Sequence, residues 1–116
     1  MSLERILQLL QSFGFSRVEA EVYVYLAKKG PQRGKDLENG LKIAKQQLYF
    51  TLKNLQRKDI VSISHKRPAL FSALAFEKLL NLYVKLNVDQ AKIIEETKEE
   101  WLNDWRDMTK NDRNKS

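Results

Sequence analysis

The 116 residues include no cysteine and one histidine, His65, which excludes disulfides, thiol chemistry, cysteine–zinc sites and multi-histidine metal centres. The apolar share of 42% excludes a disordered chain, no run of about eighteen apolar residues is present to span a bilayer, and the chain opens on an amphipathic pattern rather than a signal peptide, so a cytoplasmic protein is expected. The net charge of +6 lies in the middle third: residues 31–70 hold nine Lys/Arg against three Asp/Glu, while residues 1–30 hold four against three and residues 71–116 eight against nine. A polyanion would be drawn to that middle region.

Leu3, Ile6, Leu7, Leu9 and Leu10 recur at helical spacing and predict a first helix over Ser2–Phe13, closed by Gly14. Ser16-Arg17-Val18-Glu19 has the form of a capping box, in which the serine hydroxyl accepts from the Glu19 amide and the Glu19 carboxylate reaches back. It opens a helix over Arg17–Lys29. The stretch from Glu21 to Leu26 also has strand propensity, but the cap, the length and the Gly30-Pro31 stop favour helix. Apolar on nearly every side, this helix is expected to be the most buried.

A short helix is expected over Arg33–Asn39, with Gly40 as a turn, and then a periodic segment over Ala44–Lys58. Two strands follow, Ile60–Ser64 and Ala69–Leu74, joined by the proline-containing loop His65-Lys66-Arg67-Pro68. From Phe76 the helical pattern returns and persists to about Met108, and the polar residues 109–116 should fray. Three helices closed by a two-stranded wing make a winged helix-turn-helix. The fold class is therefore mainly α with a small β-hairpin: a winged-helix domain over residues 1–75 and a long C-terminal dimerisation helix over 76–116.

On a helical wheel of Ala44–Lys58, Leu48, Leu52 and Leu55 gather on one side, with Ala44 nearby. The opposite side carries Gln46, Phe50, Lys53, Asn54 and Arg57, flanked by Lys45, Gln47 and Tyr49, and no acid falls between Lys42 and Lys58. Glutamine can meet adenine in a bidentate way, lysine and arginine can meet guanine or phosphate, and a phenyl ring can lie against a thymine methyl. Each cation alone is an ordinary solvated residue. Phe50 opposite the leucines is not, and it reads as a contact residue for a base or for a protein. Tyr49 is half inward and belongs to the edge of the core. His65, Lys66 and Arg67 at the hairpin tip suit phosphates or a minor groove, or form a plain polar turn. Arg33, Lys35 and Lys42 are placed to hold phosphates from the side.

The stretch FGFSRVEAEVYVYLAKKGP, Asp36-Leu37, the run IAKQQLYFTLKNLQRKDIV from Ile43 to Val61 and Arg67-Pro68 resemble the N-terminal winged-helix domain of the TrmB family of archaeal and bacterial transcription regulators. The resemblance covers about residues 7–75, and several of its motifs are shared with MarR-like and ArsR-like domains. It implies that Ala44–Lys58 is the DNA-reading helix, with Lys45, Gln46 and Gln47 at its exposed start and His65–Pro68 as the wing. Against the family pattern, Arg33 stands where a capping Thr or Ser is usual, Glu38 at a usually small position, Lys42 at the expected turn glycine and Asp59 at a second customary glycine. The resemblance leads one to expect Gly40 to serve as the turn in place of Lys42. Full-length members of the family carry a sugar-binding effector domain, which this chain is expected to lack.

Over residues 76–108, Leu79, Leu80, Tyr83, Val84, Leu86, Ala91, Ile93, Ile94, Trp101, Leu102, Trp105 and Met108 form a drifting apolar stripe on a helix that would span roughly 50 Å. Self-association through Leu80, Tyr83, Val84, Ile94, Trp101 and Trp105 is expected, with folding back over its own domain as the alternative. Asn87 would set register or mark a kink. The acidic residues Glu95, Glu96, Glu99 and Glu100 should point away from phosphates.

The expected partner is double-stranded DNA read by a homodimer, with no membrane, cofactor, metal or small-molecule effector. The alternative is a winged-helix protein-interaction module within a transcription complex. No Ser-His-Asp set, phosphate loop or metal-ligand cluster suggests an enzyme.

Overall fold

The computed structural model describes residues 2–86 and 98–110. In chain order these form α1 (Ser2–Ser12), α2 (Arg17–Lys29), α3 (Gly34–Leu41), α4 (Lys45–Arg57), β1 (Val61–Ile63), β2 (Phe71–Ala73), α5 (Phe76–Leu86) and a helical stretch over 98–110, here α6. The fold is mainly α with a small antiparallel sheet, a winged helix. None of the described helices is long and apolar enough to cross a membrane. The chain divides into two compact units, residues 15–74 and residues 1–14 with 75–116.

In the first of these units, the Ser16 capping box forms as the residue pattern predicts. Ser16 Oγ accepts from the Glu19 amide at 3.0 Å, and Glu19 Oε1 accepts from the Ser16 amide at 2.8 Å. This satisfies two amides that a helix start otherwise leaves open. α2 is the buried centre, with Ala20, Val22, Tyr23, Val24 and Leu26 all inside. The Tyr23 hydroxyl donates to the Leu74 carbonyl at 2.6 Å, and burial pushes its phenol well above the ordinary value. Glu19, one arm of the cap, is itself buried.

The hairpin pairs Val61 with Ala73, Ser62 with Ser72 and Ile63 with Phe71. It is shorter than the expected strands. Beyond Ile63 the ladder is completed by a side chain: the Ser64 amide donates to the Leu70 carbonyl at 2.9 Å, while the Leu70 amide donates to Ser64 Oγ at 3.0 Å. A third strand fragment escaped the sequence reading. Gln32 bridges Phe71 through both backbone bonds, at 3.0 and 2.7 Å, so the residue leading into α3 is tied to β2. A single residue carries no alternation for a reader to see.

The second unit corrects the expected rod. The Phe76 and Trp105 rings stack at 4.4 Å, and Lys98 Nζ lies 3.0 Å from Asn81 Oδ1 and 3.5 Å from Glu77 Oε2. One continuous helix would separate Phe76 from Trp105 by about 43 Å. α5 and α6 therefore lie antiparallel, side by side. α1 completes this unit. Arg5 pairs with Asp104 at 3.1 Å and sits 4.8 Å over the Trp101 ring, and Phe13 stacks on Tyr83 at 4.6 Å.

Of the residues expected to pair two copies, Leu80 is fully buried within its own chain, and Tyr83, Trp101 and Trp105 are half-buried against the contacts just named. The tryptophans thus have partners in the same chain, as the alternative of folding back had it. The side chain of Val84, and Asn87, Ile94, Glu95 and Glu96, lie outside the described residues.

Candidate nucleic-acid interface

The turn between α3 and α4 is made by Lys42, which adopts the left-handed conformation (φ 57°, ψ 42°) and donates its amide to the Glu38 carbonyl at 2.9 Å. That single bond closes α3 as an αL cap. Gly40 is not the turn. It lies inside α3, where a Cβ would fall on the Tyr25 hydroxyl. Gly34, at the start of α3, plays the same part toward α4: a Cβ there would fall on the Tyr49 hydroxyl and lie 2.7 Å from Cζ. The two glycines let tyrosines from the neighbouring helices approach the α3 backbone. Position in sequence advertises a turn glycine but not a packing glycine, and Gly40 is the second kind.

α4 ends in a Schellman motif. Asp59 is left-handed (φ 61°) and donates to the Gln56 carbonyl at 3.0 Å, and the Ile60 amide donates to the Leu55 carbonyl at 3.0 Å. Leu55 and Ile60, the pair that this backbone bond joins, are both fully buried. Lys58, next to it, turns toward α2: its ammonium lies 3.6 Å from Glu19 Oε1 and 5.3 Å from the Phe15 ring centroid. This lysine anchors the end of the helix rather than adding to the outer face.

Leu48, Thr51, Leu52 and Leu55 form the buried side of α4. Thr51 is made tolerable there by donating its hydroxyl to the Gln47 carbonyl at 2.8 Å. Ala44, expected near the core side, is instead the exposed residue preceding the first turn. Tyr49 is 39% exposed and turns its ring edge to Phe71 at 6.2 Å, a core-edge position as expected. On the outer side Lys45, Gln46, Gln47, Phe50, Lys53 and Arg57 are all exposed, with Phe50 at 66%. Arg57 Nη1 donates to Asn54 Oδ1 at 3.3 Å, one turn back.

The first turn of α4 holds no acid, so the positive end of the helix dipole and Lys45 act in the same sense. At the wing, His65, Lys66, Arg67 and Pro68 are all exposed. Lys35 and Lys42 are exposed as well. Arg33 is exposed but engaged: its guanidinium forks the Asp36 carboxylate at 3.1 and 3.2 Å, which raises its own pKa and holds that of Asp36 below the usual carboxylate range. Its charge is thus largely met by its neighbour.

Residues 10–77 match the family described as the sugar-specific transcriptional regulator TrmB. The chain belongs to the TrmB family. It is also 32% identical, over 105 residues, to the HTH-type sugar sensing transcriptional regulator TrmBL1 of Pyrococcus furiosus. That alignment covers 90% of this chain and 30% of the relative, so the chain spans under a third of the regulator it matches. The TrmB match contains all of α2, α3, α4 and the hairpin.

Two of the departures from the TrmB pattern, Lys42 and Asp59, have a physical account. Lys42 and Asp59 take the left-handed conformation that glycine would take, and Arg33 precedes α3 without any side-chain cap. The family, by its description, is one of transcriptional regulators.

Proposed function

We propose that this chain binds double-stranded DNA sequence-specifically as a homodimer, with the first turns of α4 in the major groove and the wing at 65–68 on the backbone or in the minor groove. The observation that carries the reading is the open outer face of α4. Gln46, Gln47, Phe50 and Lys53 stand in solvent, and no acidic side chain interrupts them between Lys42 and Lys58. A helix presenting amides and cations at its N-terminal end is the shape that enters a major groove. Lys35 and Lys42 flank it for phosphates, while Arg33 contributes less because Asp36 already holds it. Such binding would place the protein in the cytoplasm.

Dimerisation is proposed through the unit that holds α5 and α6, using the surface that Tyr83, Trp101 and Trp105 leave half-buried. Leu80 is no longer part of it. Two copies would set two reading helices about 34 Å apart, one turn of duplex. A protein-interaction reading draws on the exposure of Phe50, but the cationic and amide surround of that ring favours a polyanion.

The test is selection of bound duplexes from a random pool, followed by affinity measured against salt. Log affinity should fall linearly with log salt, and Lys45→Ala or Lys53→Ala, each removing a cation from both protomers, should lower the slope by about 1.8. Gln46→Ala should broaden base preference at one position. Binding that is indifferent to salt and to all three changes would sink the reading. Sedimentation should find two chains per duplex; a single chain on the selected site would remove the homodimer.

A further inference from the structure

We infer that Phe50 is a specificity-determining residue that reads the 5-methyl group of thymine on the floor of the major groove. This rests on the binding of DNA through α4. Large apolar side chains exposed among the described residues are Leu3, Tyr49, Phe50 and Ile63, and Phe50 is the most exposed of them, at 66%. Tyr49 still turns its ring edge to Phe71. Phe50 adds nothing to the buried side of α4, which Leu48, Thr51, Leu52 and Leu55 complete without it. Nor does the helix ask for it, since phenylalanine propagates a helix less well than lysine or glutamine.

The surroundings of the ring choose its partner. Gln46 precedes it by one turn, Lys53 follows within one turn, both are exposed, and α4 contains no acid. An apolar centre inside a rim of amide and cation fits a surface that is anionic at its edges and apolar at one spot. The major groove offers that combination: phosphates line its walls, and the thymine methyl is the apolar group on its floor. Along the helix axis Phe50 lies about 6 Å beyond Gln46. With bases stacked about 3.4 Å apart, the thymine should fall within about two steps of the base that Gln46 meets. The chemistry recognised is therefore a methyl group, with no hydrogen bond to the base that carries it.

Deoxyuridine separates the methyl from everything else, because it keeps every donor and acceptor of thymine. The selected duplex is to be remade with deoxyuridine at one thymine at a time. Affinity is then measured for the full chain, for Phe50→Ala and for Phe50→Leu, with helical content checked by circular dichroism. At a single thymine in each half-site the native chain should lose about fourfold in affinity, the value of one buried methyl. Phe50→Ala, which removes the contact from both protomers, should lose roughly sixteenfold on the thymine duplex and become indifferent to the replacement, while Phe50→Leu should remain sensitive.

The inference is overturned, with DNA binding intact, if no thymine in the site is sensitive or if Phe50→Ala keeps the full sensitivity. It is also overturned if Phe50→Ala binds every duplex as the native chain does but no longer self-associates, which would make the ring a protein contact. If no duplex is bound in a salt-dependent way, the underlying reading fails first and takes this one with it.

Discussion

Lys42 is asked to do two things that pull against each other. Its backbone sits in the left-handed region, which costs an L-residue with a Cβ roughly 1–2 kcal/mol relative to glycine. Its side chain is exposed beside α4, where under the proposed function a cation suits phosphate. Lys42→Gly should therefore raise stability in urea by up to about 1 kcal/mol, since the added freedom of the unfolded chain offsets part of the relief. The same change, made in both protomers, should lower the salt slope of duplex binding by about 1.8. A less stable variant would show that the turn is not strained; an unchanged slope would remove Lys42 from the phosphate contacts. Asp59 meets the same geometry with a residue that tolerates it better, and its Schellman bonds join Leu55 to Ile60 in the core.

Among the elements, those stated by local chemistry were the legible ones. The Ser16–Glu19 box specifies its own geometry in four residues, and the start of α2 falls where those residues put it. The leucines of α4 identify its buried side because burial and helical period leave one solution. What escaped was set by partners distant in sequence. Gln32 becomes a strand fragment only because Phe71 is there to pair with it, and Lys58 meets Glu19 and Phe15 only because the fold brings α2 to the end of α4. Gly34 and Gly40 are required by tyrosine hydroxyls from other helices, which no periodicity reveals. Gly34→Ala should accordingly destabilise by about 1–3 kcal/mol, by forcing Tyr49 away from α3. Tyr49→Ala in the same chain should recover part of that loss, as a double-mutant cycle in urea would show. Additive losses would mean that the two residues do not meet.

At the scale of the whole molecule, a stripe of apolar residues says which face of a helix is covered but not by what. Such a stripe serves a rod in a dimer and two helices packed within one chain equally well, and the stack of Phe76 on Trp105 decides for α5 and α6 packed side by side. Phe76 is almost fully buried, so Phe76→Ala should cost about 3–5 kcal/mol in the unit that contains it and shift the emission of Trp105 to the red. Unchanged emission would mean that the two rings do not stack.

That unit holds both tryptophans, Trp101 and Trp105, whereas Tyr23, Tyr25 and Tyr49 belong to the winged helix. The indoles are thus confined to the unit that does not contain α4. Variants made anywhere in α4 leave both indoles in place, so tryptophan emission gives a control, with no dye and no engineered tag, for the integrity of the unit that holds α5 and α6.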